Sequence, residues 1–371
     1  MQWNWQQADW PSFQYTPSLL QDMEGRFLKG AGVIVGALHH VDQQARQGLT
    51  LDLISQETVE NSAIEGEILD RASVQSSLAR HLGLTTDKRR VGNAEAGAAE
   101  LMADLFRHYA KPLDHQLLFG WHAMLMNGRR DIVDIGRYRT HDDAMQIVSG
   151  PLHAPRVHFE APPSDRVPAE MESFTAWFND SAPGRETPVG AIMRAGISHL
   201  WFESIHPFED GNGRIGRAIA ERALAQALDT PTLTALAKTI HQHRKEYYAA
   251  LHTASRDLEI DAWLSWFGEI VLEAQERTLT EVRFLIGKTR LFDSLQGQIN
   301  ERQEKAMLRM LAEGPDGFKG GLSARNYQTI TGAAPATATR DLAKLIDLGA
   351  LQRTGERRHA RYHLQLLGGG I

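Results

Sequence analysis

Twelve consecutive positions, HPFEDGNGRIGR at 206–217, bring together a histidine, two acids, three glycines, an asparagine and two arginines. Apolar spacing on either side predicts one helix ending near Ile205 and another starting near Ile215, which leaves GNGR in a turn at a helix N-terminus. The unpaired N–H groups of such a terminus attract anions; Gly211 and Gly213 let the backbone approach a phosphate, and Asn212 adds an amide donor. Arg214 and Arg217, three apart on the first turn, project to one side and can grip further phosphate oxygens bidentately. Asp210 would repel that phosphate unless a divalent cation lay between them, and Mg²⁺ held by one carboxylate plus phosphate oxygens suits the place. His206 is then a base beside the phosphates, able to take a proton from an attacking hydroxyl.

A second stretch, TVENSAIEGE at 58–67, places Val59, Ala63, Ile64 and Ile68 on one helical stripe with Gly66 as the helix-ending residue. Glu65 is thereby left at the negative end of the helix dipole. That costs roughly 0.3–1 kcal/mol unless a cation answers it.

These groups must be positioned by helices. Amphipathic patterning predicts them at about 17–47, 93–109, 188–206, 215–228, 241–258 and 262–295, with Thr187 capping and Pro188 at the first position of the third. One stretch differs: AMQIVSGPLHAPRVHFEAPP, 144–163, alternates β-branched residues around a Gly-Pro turn and reads as a β-hairpin. Trp3, Trp5 and Trp10 look like a small element clamped onto the helices. His241 and His243 have no acidic or histidine neighbour at metal spacing and read as surface residues.

The 371 residues predict two or three domains. Apolar runs stay well short of the ~18 residues of a membrane span, so no membrane partner is expected. The chain has no cysteine, which removes disulfides and thiolate metal sites, and its start lacks the basic-then-apolar pattern of a secretory signal. A reducing cytoplasm is the expected compartment. The net charge of −6 is uneven: residues 299–371 hold 11 basic against 7 acidic side chains, the first 298 hold 29 against 39. Such asymmetry suggests two jobs.

The basic tail, GLSARNYQTITGAAPATATRDLAKLIDLGALQRTGERRHARYHL at 321–364, resembles a winged helix. It reads as a short helix, a turn, a second helix with Ala338, Leu342, Leu345 and Ile346 inward, and a hairpin about Gly355. Thr337, Thr339 and Arg340 at the second helix, with Arg353, Arg357, Arg358 and Arg361 around the wing, would suit DNA phosphates and a groove. Such modules also dock proteins or form homodimers.

HPFEDGNGRIGR matches at every defined position the signature of Fic proteins, H-x-F-x-[DE]-G-N-G-R-x-x-R. GRYRTHDDAMQIVSG (136–150) resembles the segment leading into that family's flap hairpin. AGISHLWFESIHPF resembles its motif-leading helix, and RKEYYAAL (244–251) its nucleotide-pocket helix. The resemblance covers about residues 50–260. It implies a mainly α fold: a Fic-type helical bundle with a β-hairpin flap, plus the small C-terminal winged helix-turn-helix domain. The divisions it implies are an N-terminal helical region at 1–110, a catalytic core at 111–260 with the flap at 144–160, a linking helix at 261–298, and the winged helix at 299–371.

The resemblance further implies transfer of AMP from ATP to a Ser, Thr or Tyr hydroxyl of a protein target or of the chain itself. His206 would be the base, Phe208 the anchor of the loop, and Asp210 the Mg²⁺ ligand. Gly211, Asn212 and Gly213 would cradle the phosphates, Arg214, Gly216 and Arg217 would complete the ATP site, and Tyr247 and Ser255 would line it. Ile147, Val148, Ser149 and Gly150 of the flap would receive the target as an added strand. The segment around Glu65 resembles the inhibitory helix of some Fic proteins, [ST]-x-x-x-E-[GN], assigned to about 50–66. Its glutamate would pair with Arg217 and displace the γ-phosphate. Asn61 stands where that helix carries Ser or Thr, which leaves its anchoring open. Two other readings also remain open: a nucleotide-sensing transcriptional regulator worked by the winged helix, and removal of AMP by the same site.

Overall fold

Apolar residues at helical spacing dictate a mainly helical chain, and the computed structural model, which describes residues 2–39, 41–85, 90–149, 156–315 and 317–366, is mainly helical. Two compact units divide it, Met1–Gly32 with Gln47–Arg277 and Val33–Arg46 with Thr278–Ile371.

The chain runs through α1 (Gln21–His39), α2 (Gln43–Ile64), α3 (Arg71–His81), α4 (Asn93–His108) and α5 (His115–Leu125), then β1 (Gln146–Ser149) and β2 (Arg156–Glu160). It continues through α6 (Val167–Asp180), α7 (Ala191–Ile205), α8 (Asn212–Leu228), α9 (Leu236–Gln242), α10 (Arg244–Ala254) and α11 (Asp261–Leu295). The first core is built on α7 and α8, whose Ile197, Phe202, Ile215 and Ile219 are buried with Trp121, Phe174 and Trp263. Along α11, Trp263, Leu264 and Phe267 belong to this core, whereas Leu291 and Leu295 belong to the second.

The expected helix over 17–47 is in fact two, because the Asp42 side chain accepts the Ala45 N–H at 2.9 Å and starts α2 afresh. The expected Thr187 cap also fails. The third expected helix begins at Ala191 with Gly190 at its cap, and Glu24 of α1 accepts the N–H groups of Ile192 and Met193 at 2.8 and 3.0 Å. Patterning over 241–258 spans a break at His243, between α9 and α10. Ile68 is 92% exposed, outside the stripe it was expected to extend, because α2 stops at Ile64 and Gly66 turns the chain at φ +86.

The expected hairpin is present as antiparallel β1 and β2, with a register shift between Ile147 and Val148. The N-terminal tryptophans hold its outgoing strand: Trp3 meets Phe159 edge-on at 5.2 Å and Trp5 Nε1 donates to the Glu160 carbonyl at 2.6 Å.

In the second unit, α12 (Glu301–Leu311), α13 (Ala324–Thr331) and α14 (Pro335–Asp347) precede an antiparallel hairpin of β3 (Leu351–Thr354) and β4 (Arg361–Leu364). Asn300 and Gln303 cap α12 reciprocally, Ser323 caps α13, and Gly332 ends it at φ +73. Ala338, Leu342 and Leu345 are fully buried and Ile346 packs partly buried against them.

Candidate active site

The 206–217 loop is built by closing the chain on itself. α7 ends where His206 turns left-handed at φ 50, ψ 60, its N–H still bonded to the Phe202 carbonyl at 2.9 Å. Phe208 is fully buried and stacks on the His122 ring, centroids 4.2 Å apart. Asn212 spends its amide on the loop: Oδ1 accepts from Phe208 N at 2.9 Å and Nδ2 donates to Phe208 O at 2.8 Å. The side chain is thus a staple that shapes the turn, and one of its two N–H donors is spent on the loop while Asn212 still lines the adjoining cavity. Gly211 at φ +82 starts α8, three residues earlier than expected. Arg139, buried, ties the loop to the segment after the hairpin, giving Nε to His206 O at 2.9 Å and Nη1 to Ser164 Oγ at 2.8 Å.

A cavity of about 670 Å³ opens onto this loop, within the size range of small-molecule sites. Glu65, His206, Asp210, Gly211, Asn212 and Gly213 line one side, Phe159 and Tyr247 another. The start of α8 thus lines the cavity, and the first N–H groups of a helix have no helical partners of their own; that of Gly211 donates to Asp210 Oδ1 at 2.5 Å. Burial, assisted by the Arg139 charge, pulls the His206 imidazole down to about 4, so it is neutral and can accept a proton. Asp210 receives Arg129 Nη1 at 2.9 Å and Arg214 Nη2 at 3.4 Å, and Arg214 also holds Glu67 at 2.7 Å.

Glu65 and Arg217, 152 positions apart, meet at 2.7 Å. Burial pushes the Glu65 carboxyl up, but the charge and hydrogen bond of Arg217 outweigh it and hold the acid below its ordinary value. Glu65 also lies over the start of α8: a β-carbon on Gly213 would come within 2.1 Å of its Oε1. One carboxylate therefore covers both the arginine fork and the anion-attracting helix end. Asn61 adds two acceptors to Arg217, Oδ1 to Nε at 2.5 Å and its carbonyl to Nη2 at 3.0 Å.

Other expected residues fall as follows. Ile147 and Val148 line the cavity, partly exposed. Ser149 pairs with Arg156 across the hairpin, and Gly150 lies outside the described residues. Gly216 serves helix packing rather than the cavity: a β-carbon there would meet Glu203 Oε1 at 2.7 Å and His199 Nδ1 at 3.1 Å. Ser255 lines the cavity and bonds to the His252 carbonyl at 3.0 Å. Tyr247 lines it too, but its hydroxyl is buried between His199 Nε2 at 2.8 Å and Arg217 Nη1 at 3.5 Å.

His241 and His243 each have a carboxylate that local spacing cannot reveal, Glu60 at 2.6 Å and Glu273 at 3.0 Å, both on other helices. Among the described residues no group of three or more His, Cys, Asp and Glu could hold a metal. Sequence reasoning passed over Glu203, Arg129, Arg139 and Tyr248. Only Glu203 carried a local signal, one turn before His206 on the same helix.

The central pair of helices, α7 and α8, thus presents a histidine and a glycine-rich helix start to one cavity. Across 97% of this chain and 99% of the other, the fold is similar to the crystal structure of a Fic family protein from Desulfovibrio desulfuricans, with a TM-score of 0.54 at 20% identity. Residues 112–224 match the Fic/DOC family, and residues 3–84 match a domain of unknown function, DUF4172. Over 128 residues it is 29% identical to a protein adenylyltransferase of Caenorhabditis elegans, covering 34% of this chain and 22% of that protein. Over 129 residues it is 30% identical to a protein adenylyltransferase of Nematostella vectensis, covering 34% and 28%. The chain thus spans about a quarter of the length of these relatives. No helix among the described residues is long and apolar enough to cross a membrane.

Proposed function

We propose that the chain is a self-inhibited protein adenylyltransferase, moving AMP from ATP to a Ser, Thr or Tyr hydroxyl of a protein, its own chain included. The observation that carries this reading is the convergence of neutral His206, the start of α8 and the Arg217 fork on one cavity. In the reaction the hydroxyl oxygen bonds to the α-phosphorus, the α–β bridging P–O bond breaks, and pyrophosphate leaves with its electron pair. The hydroxyl proton passes to His206. The backbone N–H groups of Gly211 to Gly213 and the guanidiniums of Arg214 and Arg217 hold phosphate oxygens. Asp210, part-exposed on the cavity wall with only arginines and a backbone N–H against it, fits as the single carboxylate of a Mg²⁺ site completed by phosphate oxygens. When bound, that ion would neutralise phosphate charge.

The Glu65–Arg217 pair supports inhibition, because the γ-phosphate would need the fork that Glu65 holds. Strand β1, whose Ile147 and Val148 line the cavity yet stay 43% and 49% exposed, supports docking of the target as an added strand. For the second unit we read a DNA-binding winged helix: Arg340, Arg353 and Arg357 are exposed on α14 and the β3–β4 hairpin, where they could meet phosphates. The activity is tested by incubating the Glu65→Gly variant and Mg²⁺ with ATP labelled at the α- or the γ-phosphate. Label entering protein from the α-position alone supports AMP transfer; label from the γ-position overturns it.

A further inference from the structure

We propose that Glu203 is the positioning residue for His206, its carboxylate accepting the imidazole Nδ1–H so that Nε2 is left bare to take the acceptor's proton. The inference rests on reading His206 as the base of the transfer.

The geometry comes from two orphaned atoms. His206 Nδ1 is buried with no hydrogen-bond partner, and so is Glu203 Oε1. Glu203 Oε2 lies 3.8 Å from that Nδ1, one helical turn away on α7. The unsatisfied carboxyl oxygen, Oε1, and the one nearest Nδ1, Oε2, belong to the same group, so a small side-chain rotation that brings either oxygen onto Nδ1 recovers free energy as a hydrogen bond. Gly216 on α8 makes the carboxyl's place, since a β-carbon there would strike Oε1 at 2.7 Å.

The surrounding charges set when this contact forms. Glu203 is faced by His199 and His206 along α7, by Arg217 of α8, by Glu65 after α2 and by Tyr247 of α10; His206 is faced also by Arg139 and Asp210. Burial, with Glu65 adding to it, raises Glu203 to about 8. Between about 4 and 8 both partners are uncharged, and only the Glu203 backbone carbonyl biases which ring nitrogen of His206 carries the hydrogen. Once Glu203 loses its proton its carboxylate can only accept, so Nδ1 must carry the hydrogen. The proton that then arrives at Nε2 makes an imidazolium that the carboxylate stabilises. No atom is transferred to Glu203 in this step.

Two measurements on the full chain test the assignment. In the first, ¹⁵N-histidine NMR follows the ring nitrogens of His206, identified by their loss in His206→Ala. They should move to the Nδ1–H tautomer as pH rises through about 8, and stay unmoved in Glu203→Gln. In the second, kcat/KM for α-phosphate transfer is taken against pH in a Glu65→Gly background. It should show a rising limb too, displaced below about 8 because Glu65 no longer adds to the burial of Glu203. With Glu203→Gln added it should be flat there and at least about tenfold lower above it, and Glu203→Asp should restore a rising limb. An unchanged tautomer shift or an unchanged rising limb in Glu203→Gln overturns the assignment. If Glu65→Gly transfers nothing at any pH, the proposed activity fails, while the NMR titration still decides whether Glu203 holds His206.

Discussion

Asn61 grips Arg217 from two sides, Oδ1 on Nε at 2.5 Å and its carbonyl on Nη2 at 3.0 Å, one turn before Glu65 takes the same Nη2 at 2.7 Å. The residue that stands where some Fic proteins carry Ser or Thr is therefore an anchor in its own right. A third contact, Nδ2 to the Arg214 carbonyl at 3.3 Å, fastens it to α8. Removing the side chain should loosen the Glu65 lock while leaving the acid in place. Asn61→Ala should raise transfer, but less than Glu65→Gly does, since the Glu65 carboxylate and the residue-61 carbonyl both stay on Arg217. Transfer at or below the parent's level in this variant would contradict the anchoring role.

Asp210 is the second target. Its carboxylate is held by Arg129 and Arg214, and Mg²⁺ with phosphate would have to draw it away from them. Asp210→Asn keeps the shape and removes the charge. Calorimetry should show ATP binding tightened by Mg²⁺ in the parent and indifferent to it in the variant, with transfer down at least about tenfold. An equal Mg²⁺ dependence in both would exclude Asp210 as the ligand.

How much of this was legible in the sequence follows the range of the interactions. The loop could be read because His206, Asp210, Gly211 and Arg217 act through local helix geometry. Glu65 could be paired with Arg217 only through family resemblance, since nothing in spacing brings residues 152 apart together. Asn212 looked like a phosphate donor because its type and place allow it; that its amide closes on Phe208 depends on how tightly the turn folds. Arg129, Arg139 and the carboxylate partners of His241 and His243 come from separate elements, which periodicity cannot bring together. The helix over 17–47 was misread because apolar spacing continues through the break after which Asp42 caps α2.

The buried acids predict a slope in stability. Glu203 keeps its proton in the folded chain up to about 8, against an ordinary 4.5. A raised carboxyl contributes stability that is complete below 4.5 and lost as pH rises towards 8, because the unfolded chain gives up the proton first. Glu221, raised to about 7, acts in the same direction, and His206, lowered to about 4, acts oppositely between 6.5 and 4. Glu203→Gln removes one contribution and leaves the others. Urea unfolding should therefore show the variant gaining on the parent across this window, by at most about 1.4 kcal/mol per pH unit. Parallel curves would show that Glu203 is not held protonated.

For the second unit, duplex DNA should be retarded by the full chain at low salt. Arg340→Glu combined with Arg353→Glu should weaken it and reduce the dependence of log affinity on log salt by about 0.9 for each phosphate no longer neutralised. An unchanged salt slope would point to a docking role for these arginines.

The central claim is that one cavity transfers AMP through His206 while Glu65 restrains it through Arg217. Its most direct measurement is incorporation of α-labelled ATP into protein by the parent, Glu65→Gly, and Glu65→Gly with His206→Ala. The account predicts at least tenfold more label in Glu65→Gly than in the parent, which needs only about 1.4 kcal/mol of relieved competition, and a fall of about 10² or more when His206 is also removed. Equal labelling by the parent and Glu65→Gly, or labelling that survives the loss of His206, would contradict it.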